Sequence, residues 1–362
     1  MQCHANVDLT RLDWCALMRS LANQTEASLL LTTSRHSPRV SRRRILGLGA
    51  ALAASFALLP TSVHARRLRM AIVTGGTGGV FYPYGGGLAK LLTEHGDNLQ
   101  ATAQVTGGSV DNIMLLDAGQ AELGFSTLDS AFEAIKGRAP YDSVGRQKVS
   151  TLAVLYDSFL HLVVDASKPI HRTADLKGMR VSIGSAGSST EAFADRVLQA
   201  AGLNPLKDVT RDNLSVAESV SALKDGKIAG LFWVGGIPTS AINDLSISGQ
   251  PALRFVPTAG ELPALEAAWP GIYSPFDLLA GTYRTQDEAV PGLGVANLLL
   301  VPSAIDGEFV TRVLETFFGN LDQLHKIHPE ARKLTLAGAA RRTAVPFHPA
   351  AEAFYRSRGV LA

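Results

Sequence analysis

The sequence predicts an α/β fold of two lobes, each built on a mainly parallel sheet. Three observations carry this expectation. Short apolar runs alternate with helix-periodic stretches from Leu68 almost to the C-terminus, the pattern of strands joined by crossover helices. Glycine-rich turns stand between several of those strands and the helices that follow. Beyond residue 65 the chain still has 297 residues, too many for one simple sheet.

In chain order, the runs Leu68–Thr74, Thr102–Val105, Leu123–Phe125, Thr151–Tyr156, His161–Val164, Arg180–Ile183, Ile228–Trp233, Leu253–Val256 and Val295–Val301 read as buried strands. Amphipathic stretches lie between many of them. In "SSTEAFADRVLQAAGL", Phe193, Val197, Leu198 and Ala201 recur at helical spacing and Gly202 is the C-terminal stop. Residues 66–158 with 280–362 are expected to form the first lobe and 159–279 the second. The strand "LAVLYDSF" would pass between them, and "IDGEFVTRVLETFFGNLDQLHKIHPEARKL" would return helices to the first.

The N-terminus reads differently. "SRRRILGLGAALAASFALLPTSVHA" is a basic cluster, an apolar run from Ile45 to Leu59 and a small-x-small end at Val63-His64-Ala65. This is the form of an export signal cleaved after Ala65, with Ser41-Arg42-Arg43 resembling a twin-arginine signal; the general secretory route is the alternative. The run is shorter than the roughly 20 residues a membrane-spanning helix needs. Residues 1–65 would be removed, leaving an extracytoplasmic, periplasmic protein. Those residues hold seven arginines and three acids, so the remainder has 27 basic and 29 acidic residues, a net of −2 against +2 for the whole chain. A basic face for nucleic acid is therefore not supported. Cys3 and Cys15 also fall in the removed part, which leaves no disulfide, thiol nucleophile or cysteine metal site.

Three strand-to-helix turns could carry chemistry. The first, "VTGGTGGVFYPYGGG", looks like a phosphate cradle. Counted from Gly76 and Gly78, however, the third glycine of a dinucleotide fingerprint is replaced by Phe81. No GK[ST] follows, so a P-loop fails as well. What remains is a helix start near Phe81 to Pro83, whose unpaired amides and dipole suit an anion. The second, "QVTGGSVDNIMLL", offers Ser109 as N-cap and Asn112 in the first turn. The third, "VSIGSAGSSTEAFA", has the S-x-x-E spacing of a capping box at Ser188 and Glu191. Plain capping explains any one of them. Together they place neutral amide and hydroxyl donors at the carboxyl edge of a sheet, where α/β proteins bind ligands, and such donors suit a carboxylate. Catalytic patterns are thin. His325 and His328 lack an adjacent carboxylate pair, His161 and His348 read as structural, and Ser185, Ser188 and Ser189 lack a nucleophile elbow. No catalytic residue, metal site or cofactor is expected.

The motifs "GGTGGVFYPYGGGLAKLL", "TGGSVDNIMLLDAGQAELGF", "DLKGMRVSIGSAGSSTEAFADRVLQAAGL", "LKDGKIAGLFWVGGIPTSAI" and "VPFHPAAEAFYRSRG" occur in an order that resembles the TAXI family, the solute-binding proteins of a class of TRAP transporters. The resemblance runs from about Arg69 to Gly359. It implies a two-lobed, type II-like periplasmic binding protein without enzymatic activity, a ligand in the interlobe cleft, and a sodium- or proton-coupled TRAP membrane permease as partner. It also implies a small carboxylate or amino acid such as glutamate or 2-oxoglutarate as ligand. Carried over by position, the ligand contacts are Gly76, Thr77, Gly78 and Tyr82 in the first turn, and Ser109 and Asn112 in the second. Ser126 and Thr127 follow in "GFST", then Ser188, Ser189 and Thr190, then Phe232 and Trp233. The glycine and serine turns would take the anion and the aromatics the carbon body. Tyr156-Asp157-Ser158, Thr127 and His348-Pro349-Ala350-Ala351 depart from the family pattern. Competing expectations are a receptor serving an ABC transporter or a sensor kinase, a nicotinamide-dependent oxidoreductase, and a purely structural exported protein.

Overall fold

The computed structural model describes residues 68–284 and 286–361; the expected leader, its cleavage after Ala65 and both cysteines lie outside them. At one end of the sheet, β1 (Leu68–Val73) pairs in parallel with β2 (Leu99–Gln104) and with β3 (Leu123–Thr127). The crossovers are helices α1 (Phe81–His95) and α2 (Ser109–Asp117), and α3 (Leu128–Lys136) follows β3. At the other end, β5 (Arg180–Ser182) pairs in parallel with β6 (Thr210–Asp212) and β7 (Gly230–Gly235), connected through α4 (Ser189–Ala200) and α5 (Val216–Lys224). The α/β class expected from the sequence is thus what the chain adopts.

Two long strands join these ends. β4 (Val149–Asp165, 17 residues) and β10 (Val290–Pro302, 13 residues) run antiparallel to each other. β10 also pairs with β3, and the second half of β4 pairs with β7. The order is β2–β1–β3–β10–β4–β7–β5–β6. The short β8 (Leu253–Phe255) lies on β4 and β9 (Tyr273–Leu278) on β10. At about 3.3 Å per residue, β4 is long enough to serve both ends, roughly 55 Å. The two parallel groups are therefore parts of one mixed sheet.

Successive residues of the central strands point to opposite faces, and both faces are covered. Ile72 and Leu299 face one apolar layer with Leu88, Leu314 and Tyr355, whereas Val73 and Leu298 face the other with Ile113 and Phe193. That is why these strands read as continuous apolar runs. The remaining helices are α6 (Ser240–Ser248), α7 (Leu262–Ala268), α8 (Gly307–Gly319), α9 (Leu321–Leu324), α10 (Leu336–Ala339) and α11 (Pro349–Ser357). α8 packs on α1 and α11, and the Tyr355 hydroxyl of α11 donates to the Leu152 carbonyl of β4 at 3.0 Å.

The sequence divides β4 in two, because Asp157-Ser158 interrupts the apolar run. In the structure Ser158 is buried and its hydroxyl accepts from the Asn297 side-chain amide of β10 at 2.7 Å. A polar pair matched across the ladder keeps the strand whole. β6 and β9 escape the sequence pattern. β6 is three residues, Thr-Arg-Asp, and β9 carries Pro275, which is tolerated where a strand pairs on one side only.

Candidate functional site

Four helices begin at one cavity of about 340 Å³. The turns after β1, β2 and β5 deliver the starts of α1, α2 and α4, as the sequence predicts. The fourth start, α5 after β6, was not foreseen. Its signal was present as Ser215-x-x-Glu218, which forms a complete capping box: Ser215 Oγ accepts from the Glu218 amide at 3.3 Å, and the Glu218 carboxylate accepts from the Ser215 amide at 2.9 Å. Among the described residues, the amides of Phe81, Ser109, Ser189, Thr190, Val216 and Ala217 have no partner within the protein, as the first turn of a helix requires. Ser189 adds a side chain. It is 6% exposed, lines the cavity, and its hydroxyl has no hydrogen-bond partner among the described residues. The residue is held in the wall while its hydroxyl stays open to the cavity, free to bond whatever enters.

The walls come close enough to exclude side chains. The Val110 and Asp111 amides of α2 donate to the Gly187 carbonyl ahead of α4, at 3.1 and 3.3 Å. Gly108 has φ of +131°, and a Cβ there would meet Ser188 at 3.3 Å. A Cβ at Gly187, with φ of +72°, would collide with the Asp111 carboxylate. These two glycines are required by conformation and by approach. Gly79 packs against the indole edge of Trp233, which closes another side.

Eight of the thirteen predicted contacts line this cavity: Gly76, Thr77, Gly78, Ser109, Ser188, Ser189, Thr190 and Trp233. Five do not. Asn112 is fully buried and its side chain is spent inside the protein. It donates to the Thr74 and Phe125 carbonyls at 2.5 and 2.8 Å and accepts from Thr106 Oγ1 at 2.7 Å. Ser126 and Thr127 are likewise buried, with hydroxyls turned to the Thr127 carbonyl and to Ser130. Tyr82 points outward from α1, so it is no ligand wall. Phe232 points into the core beneath β7, because successive strand residues face opposite ways and Trp233 takes the cavity side.

Two capping assignments also change. The N-cap of α2 is Gly108; Ser109 is the first helical residue, and its hydroxyl accepts from the Thr127 amide at 3.2 Å. Ser188 does cap α4, but the expected box is half formed, since Glu191 turns to the Gly187 amide. Phe81, Val105 and Val216 are apolar lining that the sequence did not single out. In the sequence Phe81 reads as the residue in place of a third glycine and as the start of α1.

Trp233 is fixed from behind. Its indole N–H donates to Thr239 Oγ1 at 2.9 Å, and its carbonyl lies 3.1 Å from His161 Nδ1. A carbonyl can only accept, so Nδ1 carries the proton. Nε2 then accepts from the Tyr283 hydroxyl at 2.8 Å, and Tyr283 accepts from the Thr239 amide at 2.9 Å. Burial lowers the His161 pKa to about 4. The sign follows from which state binds the proton. Between about pH 6.5 and 4 the unfolded imidazole takes a proton that the folded one refuses, so stability falls with pH across that window. The expected loss is about 3 kcal/mol. Denaturant melts of wild type and His161→Gln from pH 7 to pH 4 should show the gap between them shrinking as pH falls; a constant gap would contradict the neutral assignment.

A larger groove of about 580 Å³ lies on the far side of Gly187 and Ser188. The acids of its walls are already held in ion pairs. Glu133 meets Arg138 at 2.7 Å, and Arg211 meets Asp195 at 3.1 Å and Glu191 at 3.4 Å. In the smaller cavity the amides of Phe81, Ser109, Ser189 and Thr190 keep no partner among the described residues, which makes that cavity the candidate site.

A model of the NMT1-like family matches residues 72–359. Among solved structures, the chain is similar to the periplasmic aliphatic sulphonate binding protein SsuA from Escherichia coli, with 17% identity over 80% of this chain and 90% of that one and a TM-score of 0.43. It is also similar to the substrate binding protein of an amino acid ABC transporter, with 13% identity, 74% and 100% coverage and a TM-score of 0.43. A third likeness, to a structure described as a periplasmic transporter, has 15% identity, 82% and 93% coverage and a TM-score of 0.49.

Proposed function

The chain belongs to the NMT1-like family, and from that premise we propose that it is an exported solute-binding protein that holds a small carboxylate and delivers it to a TRAP permease. The observation that carries the reading is the convergence of four helix starts and the unpartnered Ser189 hydroxyl on one cavity of about 340 Å³. Such a space fits a small organic molecule. Amides at helix starts are anion donors. Trp233, Phe81 and Val105 would lie along the carbon body. Residues 66–158 with 280–362, and residues 159–279, would act as the two lobes, flexing along β4 and β10. Ligand contacts made from both sides would favour the closed state. This is a carrier's site, which releases what it binds unchanged. Glutamate- and 2-oxoglutarate-like acids are the class the TAXI resemblance suggests.

The test is a thermal-shift screen of mono- and dicarboxylates. A true ligand at a hundredfold excess over its Kd stabilises the folded state by about 2.7 kcal/mol. At least one strong hit is expected, and a flat screen would remove the carboxylate reading. Ser189→Ala should weaken the hit about tenfold, the loss of one hydrogen bond to a charged group. Uptake through the cognate permease should depend on a sodium or proton gradient; dependence on ATP would reassign the protein to an ABC system.

A further inference from the structure

Three of the four helix starts at the cavity already carry their own carboxylate: Asp111 in the first turn of α2, Glu191 in that of α4 and Glu218 in that of α5. The first turn of α1 has none. A helix start contributes roughly half a positive charge, and an acid in its first turn offsets that. Among the described residues lining the cavity, Glu218 is the one charged group; lysine, arginine and histidine do not occur there. The start without an acid, at Gly76–Phe81, together with Ser189 is where a carboxylate is best received, and no cation is set to meet a second. The larger part of the remaining lining is apolar, with Val80, Val105, Val216, Trp233 and Val234, beside the serines at 158, 185 and 215.

We infer that the ligand is a monocarboxylate with an uncharged, mainly apolar body, and that Glu218 at the rim selects against dianions. This rests on the carboxylate reading of the site and departs from the dicarboxylates among the acids the family resemblance suggests. A dianion would have to desolvate its second carboxylate against valines, beside an acid of the same sign. Glu218 is also a capping residue, so its role has to be separated from its structural one. Glutamine retains the capping box while removing the charge.

The experiment is titration calorimetry at low ionic strength with 4-methylpentanoate and glutarate, acids with the same five-carbon main chain that ends in a methyl-branched hydrocarbon in one and in a second carboxylate in the other. The wild-type protein should bind 4-methylpentanoate at least tenfold more tightly. In Glu218→Gln the ratio of the two affinities should fall about threefold, a modest change because the carboxylate is solvent-facing and screened. Equal or tighter binding of glutarate overturns the inference, as does binding of 2-oxoglutarate with no response to 4-methylpentanoate; both leave the carboxylate receptor standing. An unchanged ratio in Glu218→Gln removes Glu218 as the selector. Failure of every mono- and dicarboxylate to bind defeats the carboxylate reading itself.

Discussion

Replacing Asn112 by alanine is expected to lower stability by about 3–5 kcal/mol, far more than an ordinary binding residue would. The side chain ties α2 to Thr74 just after β1, to Phe125 in the middle of β3 and to the loop at Thr106 through three hydrogen bonds. Alanine would leave the Thr74 and Phe125 carbonyls without these donors, at about 1–3 kcal/mol for each group left unsatisfied. Thr74 itself is fully buried, so water cannot readily take over. Equilibrium urea unfolding measures this directly. A loss under about 1 kcal/mol would mean that the network relaxes around the gap, and the assignment of Asn112 to structure would fail.

The second large effect is expected at Arg196. Its guanidinium on α4 donates to Asp129 on α3 at 2.6 Å and to the Tyr273 hydroxyl at 2.6 Å, and lies 5.0 Å from the centre of the Trp269 ring. Glu133 stands 3.9 Å away and accepts from the Trp269 indole at 2.5 Å. All the charged partners are buried. Arg196→Met leaves the interior Asp129 carboxylate without its cation, while Glu133 keeps Arg138, and should cost about 3–5 kcal/mol, the usual penalty for breaking a buried pair from one side. Adding Asp129→Asn should return part of that loss, with a coupling of at least about 1 kcal/mol in a double-mutant cycle. Strict additivity would show that Arg196 contributes packing alone.

These two residues also show what the sequence could and could not disclose. The turns at Gly76, Ser109 and Ser188 were legible because glycine and capping residues stand at fixed offsets from apolar runs, and those offsets are local. Asn112 was legible as a first-turn residue and misread as a donor to ligand. Nothing local distinguishes an amide aimed at a cavity from one aimed at the carbonyls of residues 74 and 125. Phe232 and Trp233 were named together; which of them faces the cavity depends on the register of β7 against β4, a long-range property. The Ser215 start was missed although its spacing matched that at Ser188, because the three-residue strand before it gives almost no apolar signal. Arg196, Asp129 and Glu133 lie on helices of different ends of the sheet, and only folding brings them together. Local chemistry marked the rim of the site, and tertiary contacts decided which side chains were free to serve it.

The placement of β10 has a consequence for the order in which the molecule can be completed. Within one strand, Asn297 pairs with Thr127 on one side and with Tyr156 on the other, so a late segment is inserted between two early ones. Until residues 290–302 arrive, β3 and β4 each expose an open backbone edge in the middle of the future sheet, the kind of surface that recruits other chains. Ribosomal synthesis can therefore complete the β4–β7–β5–β6 pairings before the β2–β1–β3 end is joined to them. The gap stays open until residues 290–302 emerge, with α8 to α11 still to follow, and closing it requires contacts of very long sequence separation, which are slow to form. For a protein read as an export substrate, this places the joining of the two ends of the sheet late in synthesis.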